Sequence, residues 1–461
     1  MDLAHHLVDF GVGLKFQDLP QEVVEMAKKL ILDNLGVVVN GSRAPGTEGL
    51  VNMVLGWGGK PESSLVVFGG KVPAPYAALV NCSMARAHDY DDFHDRAMLH
   101  TTGNIVPACL AMAEQVGGIN GKDFITAVVL GIDVMIRLGL SLRRNFLTTG
   151  MNVTPHFGAF GSSLAAGKIL NLSPKEMIYA LGIAYSMVSG NVLSSREGTM
   201  MTHIQIGLSS QAGILSATMA QNGINGPQGV FQGDFGYFAV YQRGEYDPSV
   251  ITENLGKKFE INGVSIKYFP CCLCSHAAIL AILQLRQEER IDPEEVHEIR
   301  VAVTQGNFNV VCHPLDKKRN ASSFKEALFS LPYGVASALV RGRLSLEDFT
   351  PEAIQDEKVR RLANKVTPYA DKAITEQYGR TLGPEEVEVI LKNGERRSRR
   401  VDFVKGHPQN PMSMEEVEEK FKKCLRSSAR PLKDEQASAL IKAVKELDTL
   451  TDVSQIVRWL K

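Results

Sequence analysis

The chain has 461 residues, and its 50 lysines and arginines almost balance its 51 aspartates and glutamates, giving a formal net charge of -1. Because no tail or block of like charge stands out, nucleic acid and anionic membrane surfaces are not expected as partners, although a local cluster of cations could still bind a small anion. The length is sufficient for two or three domains with a sizeable core.

The amino-terminal segment and the cysteines predict a soluble, cytoplasmic protein. The segment "MDLAHHLVDFGVG" lacks the basic region and long apolar core of a signal peptide. The apolar stretch 127–136 is interrupted by charge and is too short to span a bilayer. The seven cysteines form no regular framework, as expected in a reducing compartment.

Apolar periodicity predicts that the first 260 residues are mainly helical. In residues 18–40, apolar side chains recur at helical spacing, Asp18 is a candidate cap and Pro20 suits a first turn. Ser173 and Glu176 form a capping-box pattern at the start of another helix. The same spacing predicts helices over 74–88, 105–116, 122–138 and 207–223, the last rich in small residues that permit close packing.

Strand signals appear after about residue 265. Residues 296–303 alternate like a half-buried strand. Residues 385–404 contain two strand patterns joined by Asn393-Gly394, which is a strong hairpin signal. Helical patterns over 274–290 and 323–342 accompany these strands, so this part of the chain is predicted to be α+β.

The carboxyl-terminal segment returns to helix, with a second capping-box pattern at Ser413 and Glu416. The predicted fold is therefore mainly α with an α+β second domain. A large all-helical domain is formed by both chain ends, 1–265 and 406–461, and a smaller α+β lid domain, 266–405, is inserted.

Residues 88–100, "HDYDDFHDRAMLH", concentrate four aspartates, three histidines and one arginine. If the preceding helix continued, His88 and Asp92 would share a face. A solvated loop whose aspartates cap neighbouring helices explains the composition equally well. The mixture of carboxylates, imidazoles and the Arg96 guanidinium also suits proton abstraction beside substrate carboxylates.

A divalent metal is the alternative occupant of such a cluster. The sequence has neither an HExxH pattern nor the spacing of an EF-hand loop, so no metal is predicted there. Rossmann and Walker glycine patterns and the GxSxG elbow are absent as well, which argues against nucleotide binding and a serine nucleophile.

The stretch "SSREGTMMTHIQIG", residues 194–207, is interpreted as a linker between helices. It carries Arg196, Thr202 and His203, and an arginine can bind a carboxylate through two hydrogen bonds. A surface ion pair with Glu197 is an equally good interpretation of Arg196.

The stretch "KYFPCCLCSHAA", residues 267–278, brings three cysteines close to His276. No second CxxC pair and no HxxxH pattern completes a zinc site, so the cysteines are predicted to be small buried side chains. His276 opens a predicted helix after a proline-containing turn, which suits a cleft residue near the domain junction, and a helix start favours an anion.

Taken in order, several blocks resemble the MmgE/PrpD family over essentially the whole chain. They are "LPQEVVEMAKKLILDNLGVVVNGS", "NCSMARAHDYDDFHD", "HTTGNIVPACLAMAE", "FGAFGSSLAAGKILNLSPKEMIYALGIAYSMVSG", "KYFPCCLCSH", "FSLPYGVASALVRGRLSLEDF" and "NPMSMEEVEEKF". The resemblance implies a large helical domain, a smaller α+β lid and a homodimer. Members include 2-methylcitrate dehydratase, cis-aconitate decarboxylase and iminodisuccinate epimerase, which transfer protons at carbons next to carboxylates and need no organic cofactor.

The resemblance assigns roles to three residues. Asp89 matches the first aspartate of the family's aspartate-rich motif. His100 matches the histidine before its glycine, if one inserted residue is allowed, and His276 matches the histidine that closes the "YPCC…H" motif. By these matches Asp89 or His100 is expected to abstract the proton, and His276 to protonate the departing hydroxyl or stabilise the intermediate.

The sequence departs from the family pattern at three places. Asn152 replaces a family histidine, with His156 four residues later, and Phe93 replaces a threonine of the decarboxylase motif. Thr202, or His203 in a shifted register, stands where decarboxylase-like members have a lysine. Loss of a lysine and a histidine should weaken tricarboxylate binding, which counts against the decarboxylase more than against the dehydratase.

The leading hypothesis is a cofactor-independent lyase resembling 2-methylcitrate dehydratase, acting on a small di- or tricarboxylate. Its expected substrate-binding residues are Asp92, Arg96, His156, Arg196, Thr202 and His203. The alternatives are an epimerase or isomerase of an amino- or imino-dicarboxylate, a cis-aconitate decarboxylase-like enzyme, and a non-catalytic relative that binds a metabolite.

Overall fold

The computed structural model describes residues 2–144, 149–379 and 381–460. The chain divides into two compact units, one formed by Met1–Ile266 with Ser413–Lys461 and the other by Lys267–Met412. Helices dominate, and the larger sheet lies in the second unit, so the predicted class of a mainly helical protein with a smaller α+β part is confirmed.

The longer helices follow one another in chain order. Those of ten or more residues in the described part of the chain are α1 (Leu3–Gly13), α2 (Gln21–Gly41), α3 (Thr47–Trp57), α4 (Ala74–Arg86), α5 (Thr102–Val116), α6 (Gly121–Leu140), α7 (Val153–Ile169), α8 (Pro174–Met187), α9 (Met201–Gln221), α10 (His276–Glu289), α11 (Leu331–Arg341), α12 (Met414–Arg426) and α13 (Asp434–Lys445). Shorter helices cover Leu193–Arg196, Tyr237–Gln242, Pro248–Thr252, Gln305–Asn307, Leu315–Arg319, Phe324–Leu328, Pro351–Ile354, Glu357–Ala363, Lys372–Tyr378 and Ser454–Arg458.

Local capping explains several helix starts in the first unit. The Ser173 hydroxyl accepts a hydrogen bond from the Glu176 amide, and the Glu176 carboxylate accepts one from the Ser173 amide. These two bonds form the predicted capping box of α8. Ser413 and Glu416 do the same for α12, as predicted. Asp18 was expected to cap α2, but it accepts a hydrogen bond from the Lys15 amide in a short 3-10 turn, and α2 begins only after Pro20.

Small residues let the helices of the first unit approach one another closely. Gly158 and Gly213 have no room for a Cβ atom, because Asn104 and Ser162 occupy that space. A Cβ on Gly207 would meet the backbone of Leu79. The predicted role of small residues in α9 is thus confirmed, and α9 packs closely against both α4 and α7.

The second unit is built on a four-stranded sheet. In order across the sheet its strands are β4 (Val366–Ala370), β3 (Val296–Val303), β5 (Glu385–Leu391) and β6 (Arg396–Val401), while β1 (Ser63–Ser64) and β2 (Lys71–Val72) form a separate pair in the first unit. β3 runs parallel to β4 and antiparallel to β5. Asn393-Gly394 connects β5 and β6 as a hairpin, as predicted.

Some predicted boundaries differ from the structure. The helix expected over 323–342 is two helices, because Ser330 caps a new start at Leu331. Residues 406–412 lie with the second unit, where Asn410 donates to the carbonyl oxygen of Phe403. In the described part of the chain, no helix is both long and apolar enough to cross a bilayer.

Candidate active site

The acid-rich segment is an irregular connection between two helices of the first unit. α4 ends at Arg86 and α5 begins at Thr102, so His88 and Asp92 do not share a helical face. Asp89 has a left-handed backbone with φ of 53°, which is uncommon for a residue with a side chain. The main chain of Phe93 pairs with that of Ser265, which fixes the connection against another part of the unit.

A buried arginine joins two aspartates of this segment. The Arg86 guanidinium donates a hydrogen bond to Asp89 and lies 3.4 Å from Oδ1 of Asp91. All three side chains have less than a tenth of their surface exposed. Because a buried carboxylate is costly without a partner, Arg86 is what allows Asp89 and Asp91 to be buried side by side.

His100 is oriented by a main-chain oxygen, and a carboxylate lies beside the same ring nitrogen. Its Nδ1 lies 2.7 Å from the main-chain oxygen of Asp92 and 3.1 Å from Oδ2 of Asp91. A carbonyl oxygen can only accept, so Nδ1 carries the proton and the lone pair of the neutral ring is on Nε2. None of the described residues hydrogen-bonds Nε2, and the side chain is 12% exposed. This is the arrangement of a general base.

Two further contacts fix the position of His100. Its amide donates to Oγ1 of Thr154, 3.2 Å away, in the first turn of α7. The Phe93 ring meets the imidazole edge-on at a centroid distance of 4.9 Å. Asn152, which replaces a family histidine, uses its side-chain oxygen to cap α7 at the Thr154 amide.

Asp92 has a structural role in this geometry. Its two carboxylate oxygens accept hydrogen bonds from the amides and hydroxyls of Thr101 and Thr102, at the start of α5. Burial raises the pKa of Asp92, the nearby Asp91 carboxylate adds to the rise, and the threonine hydroxyls oppose it. With all of these donors in place, the geometry gives no support to the predicted contact between Asp92 and substrate.

His156 is likewise occupied by protein atoms. Its Nδ1 lies 3.2 Å from the Tyr237 hydroxyl and its Nε2 lies 3.2 Å from the Gly190 carbonyl oxygen. Burial lowers its pKa to about 4, so the ring is neutral near pH 7. His156 was predicted to bind substrate, but both ring nitrogens hold the structure of the first unit together.

The remaining predicted substrate-binding residues occupy three different settings. Arg96 is exposed on a turn, and Arg196 is exposed on the short helix Leu193–Arg196. Thr202 and His203 are buried in the first turn of α9, where the Thr202 hydroxyl donates to the Thr199 carbonyl oxygen. The interpretation of 194–207 as a linker is therefore wrong from Met201 onward, because α9 begins there.

In the second unit, His276 is the first residue of α10 and is fully buried. Its Nε2 lies 3.2 Å from the carbonyl oxygen of Cys271, and the Phe269 ring packs against it edge-on. Two residues further along α10, the amide of Ala278 donates to Oε2 of Glu385, 2.7 Å away on β5. Burial raises the pKa of Glu385 to about 8.

The cysteines of the second unit lie in its core as thiols. Cys271, Cys272, Cys274 and Cys312 are all buried. Burial raises the pKa of Cys312 far above its ordinary value, so this thiol is protonated near neutral pH. Within the described ranges, no group of three or more histidine, cysteine or acidic residues is arranged to hold a metal ion.

The structure thus brings Asp89, Asp92 and His100 together. The sequence interpretation missed Arg86 and the contact of Asp91 with His100. The spacing of Arg86 and Asp89, three residues apart at a helix end, is a signal that could have indicated the ion pair.

Comparisons with known proteins agree with this organisation. The model of the MmgE/PrpD N-terminal domain matches residues 5–249, and that of the MmgE/PrpD C-terminal domain matches residues 269–447. A cis-aconitate decarboxylase of Aspergillus terreus is 29% identical over 466 residues, covering 97% of this chain and 94% of the relative. The cis-aconitate decarboxylase of Homo sapiens is 28% identical over 465 residues, covering 97% and 92%. A 2-methylcitrate dehydratase of Salmonella typhimurium is 26% identical over 230 residues, covering 47% and 45%.

Proposed function

Because the chain belongs to the MmgE/PrpD family, as its motifs predicted, we propose that it is a lyase acting on a small di- or tricarboxylate. The observation that carries this proposal is the orientation of His100. Its Nδ1 hydrogen-bonds the Asp92 carbonyl and lies beside the Asp91 carboxylate, which leaves Nε2 to exchange a proton with substrate.

The finer proposal is elimination of water, as in the dehydratase relative. Nε2 of His100 removes a proton from a carbon next to a carboxylate, and the electron pair forms the double bond as the hydroxyl on the neighbouring carbon leaves with a second proton. The Asp91 carboxylate stabilises the imidazolium that forms, which lowers the barrier to proton removal.

Decarboxylation is the second candidate, and the extent of the similarity favours it. The decarboxylase relatives match almost the whole chain, whereas the dehydratase matches about half of it. In that reaction the carbon–carboxylate bond breaks, carbon dioxide leaves, and protonated His100 gives its Nε2 proton to the carbanion. The His100 imidazole acts in both reactions, neutral at the start of dehydration and protonated at the start of decarboxylation. The Asp91 carboxylate lies beside it in each.

Proton NMR of products distinguishes the two reactions. The purified protein is incubated separately with 2-methylcitrate, cis-aconitate, citrate and an aspartate-derived dicarboxylate. Loss of the methine signal of 2-methylcitrate, or a new vinyl signal from citrate, with conservation of carbon indicates dehydration, and a new methine signal with conservation of carbon indicates hydration. Release of carbon dioxide with a new methylene pair indicates decarboxylation. Inversion at a carbon of the amino-dicarboxylate without elimination would support an epimerase. Binding of these acids in a thermal-shift assay, with no product from any of them, would contradict a lyase and favour a non-catalytic relative.

The role of His276, the homodimer and the cytoplasmic location complete this proposal. His276, placed at the start of α10, is expected to take part in catalysis by its match to the family motif. Replacement by asparagine should then lower kcat, and an unchanged kcat would remove the assignment. The homodimer implied by the resemblance and the cytoplasmic location predicted from the amino-terminal segment and the cysteines also stay predictions.

A further inference from the structure

A second buried cation contacts the acid-rich segment from the opposite end of the chain. Lys420 lies on α12, and only 3% of its side chain is exposed. Its Nζ donates to the main-chain oxygen of Tyr90, 2.9 Å away, and lies 4.0 Å from the centre of the Tyr90 ring. Tyr90 is the residue between Asp89 and Asp91, so Lys420 holds the backbone that carries both aspartates.

The ammonium group of Lys420 is held in place by a buried carboxylate. Nζ lies 2.6 Å from Oδ1 of Asp33, which is on α2 and is 1% exposed. Burial raises the pKa of Asp33 to about 6, Lys420 opposes the rise, and the carboxylates of Asp92 and Asp91 add to it. Asp33 and Lys420 therefore share one electrostatic environment with the acid-rich segment.

The position of Tyr90 matters because its neighbours cannot move independently of it. Asp89 has its uncommon left-handed backbone on one side of the Tyr90 peptide. On the other side, Asp91 contacts Nδ1 of His100. A displacement of the Tyr90 carbonyl therefore changes the distance between Asp91 and His100, and displacements of about 1 Å can reduce rates by roughly a hundredfold.

We propose that Lys420 is a positioning residue for the proposed reaction: from the carboxyl-terminal helix it holds the Tyr90 peptide, and through it the Asp91–His100 contact. This inference rests on the proposed function for its effect on rate, although its structural part stands alone. Lys420 reaches the main chain rather than His100 itself, so it is not a catalytic residue.

The test uses a double variant, because Lys420→Met alone would leave Asp33 as an unpaired buried charge and could unfold the chain. In Lys420→Met/Asp33→Asn both charges are removed together. Lys422→Met is the matched control, since Lys422 lies two residues along the same helix and pairs with Glu419 at the surface. Folding of each variant is first verified by thermal unfolding.

The first readout does not depend on any substrate. The histidines are labelled with ¹⁵N, and the ring signals of His100 are identified by their loss in His100→Asn. We expect the Nδ1 signal of His100 to shift in the double variant and to stay unchanged in Lys422→Met. An unchanged Nδ1 signal in a folded double variant would overturn the positioning role, whatever reaction the protein catalyses.

The second readout is the rate on whichever acid the wild-type protein turns over. The double variant should lower kcat about tenfold to a hundredfold and leave KM within about threefold, because Lys420 acts on geometry and not on binding. A normal kcat with a shifted His100 signal would overturn the inference for catalysis. If the wild type turns over none of the acids, the proposed function fails, and the NMR result still decides whether Lys420 positions His100.

Discussion

The acid-rich turn of the first unit and the start of α10 in the second unit both bury ionisable groups, but they surround them differently. In the turn, Arg86 contacts Asp89 and Asp91, and Asp92 accepts from hydroxyl and amide donors. Among the residues that the structure describes, Glu385 accepts from two neutral donors, the Ala278 amide and the Asn307 side chain, and its pKa rises to about 8. Buried carboxyl groups thus lie beside a cation in one unit and beside neutral donors in the other, and the latter setting leaves the effect of burial on the pKa largely unopposed.

The largest expected effect concerns Glu385, the buried carboxyl group of the second unit. In the folded chain Glu385 keeps its proton up to about pH 8, whereas an unfolded glutamate loses it near pH 4.5. The stability that Glu385 contributes is full below pH 4.5 and is lost as the pH rises to 8. Glu385→Gln should therefore become more stable relative to wild type across that window, by up to about 5 kcal/mol.

Hydrogen exchange of peptides from β3 and β5, corrected for intrinsic rates, measures this difference in the second unit. Glu386→Gln is the matched control, because Glu386 is the next residue of the same strand and is exposed. Parallel pH dependences for wild type and Glu385→Gln would show that Glu385 is ionised in the folded chain.

The next largest effect concerns Asp92 in the acid-rich turn of the first unit. Asp92→Ala removes the acceptor of two amides and two hydroxyls at the start of α5. We expect a loss of roughly 3 kcal/mol in the free energy of unfolding, because buried donors are left without a partner. Urea unfolding followed by tryptophan fluorescence reports it, since both tryptophans, Trp57 and Trp459, lie in the first unit. Asp9→Ala, at an exposed position, should change stability by less than about 0.5 kcal/mol.

Asp91→Asn separates the charge of the turn from its shape. Asparagine keeps the size and shape of the side chain, but it carries no negative charge and no longer stabilises the imidazolium. We expect kcat to fall about tenfold to a hundredfold with little change in KM. Steady-state kinetics on the acid identified above provides the measurement, with Asp95→Asn in the same turn as the control. A wild-type kcat in Asp91→Asn would show that the charge of Asp91 does not contribute to the rate.

The smallest effect concerns the support of His100 by α7. Thr154→Val removes the oxygen that accepts from the His100 amide, and should destabilise the first unit by about 1 kcal/mol. Thr154→Ser retains that oxygen and should stay close to wild type. Equal denaturation midpoints for the two variants would show that this hydrogen bond has no net effect on stability.

Features encoded by neighbouring residues could be predicted from the sequence. The capping boxes at Ser173 and Ser413 and the hairpin at Asn393-Gly394 depend on residues within a few positions of each other. The backbone of the acid-rich turn could not be predicted, because it is set by distant contacts such as Ser265 with Phe93 and Lys420 with Tyr90.

The same limit applies to His156. Its composition and its position near a family histidine indicated a substrate contact, but its partners Gly190 and Tyr237 lie 34 and 81 residues away in the chain. His100 was identified correctly as a member of the turn, whereas its orientation by the Asp92 carbonyl depends on an irregular backbone. Residue type thus predicted which groups gather in the turn, and only the fold shows which atoms remain available.

The most direct test of the central claim is the rate of hydrogen exchange between solvent and substrate carbon. Wild type and His100→Asn are incubated in deuterated buffer with 2-methylcitrate and with cis-aconitate, and proton NMR follows deuterium at carbons next to carboxylates. We expect incorporation by the wild type and a rate lower by about two to four orders of magnitude in a folded His100→Asn variant. Incorporation at the wild-type rate by His100→Asn would contradict it.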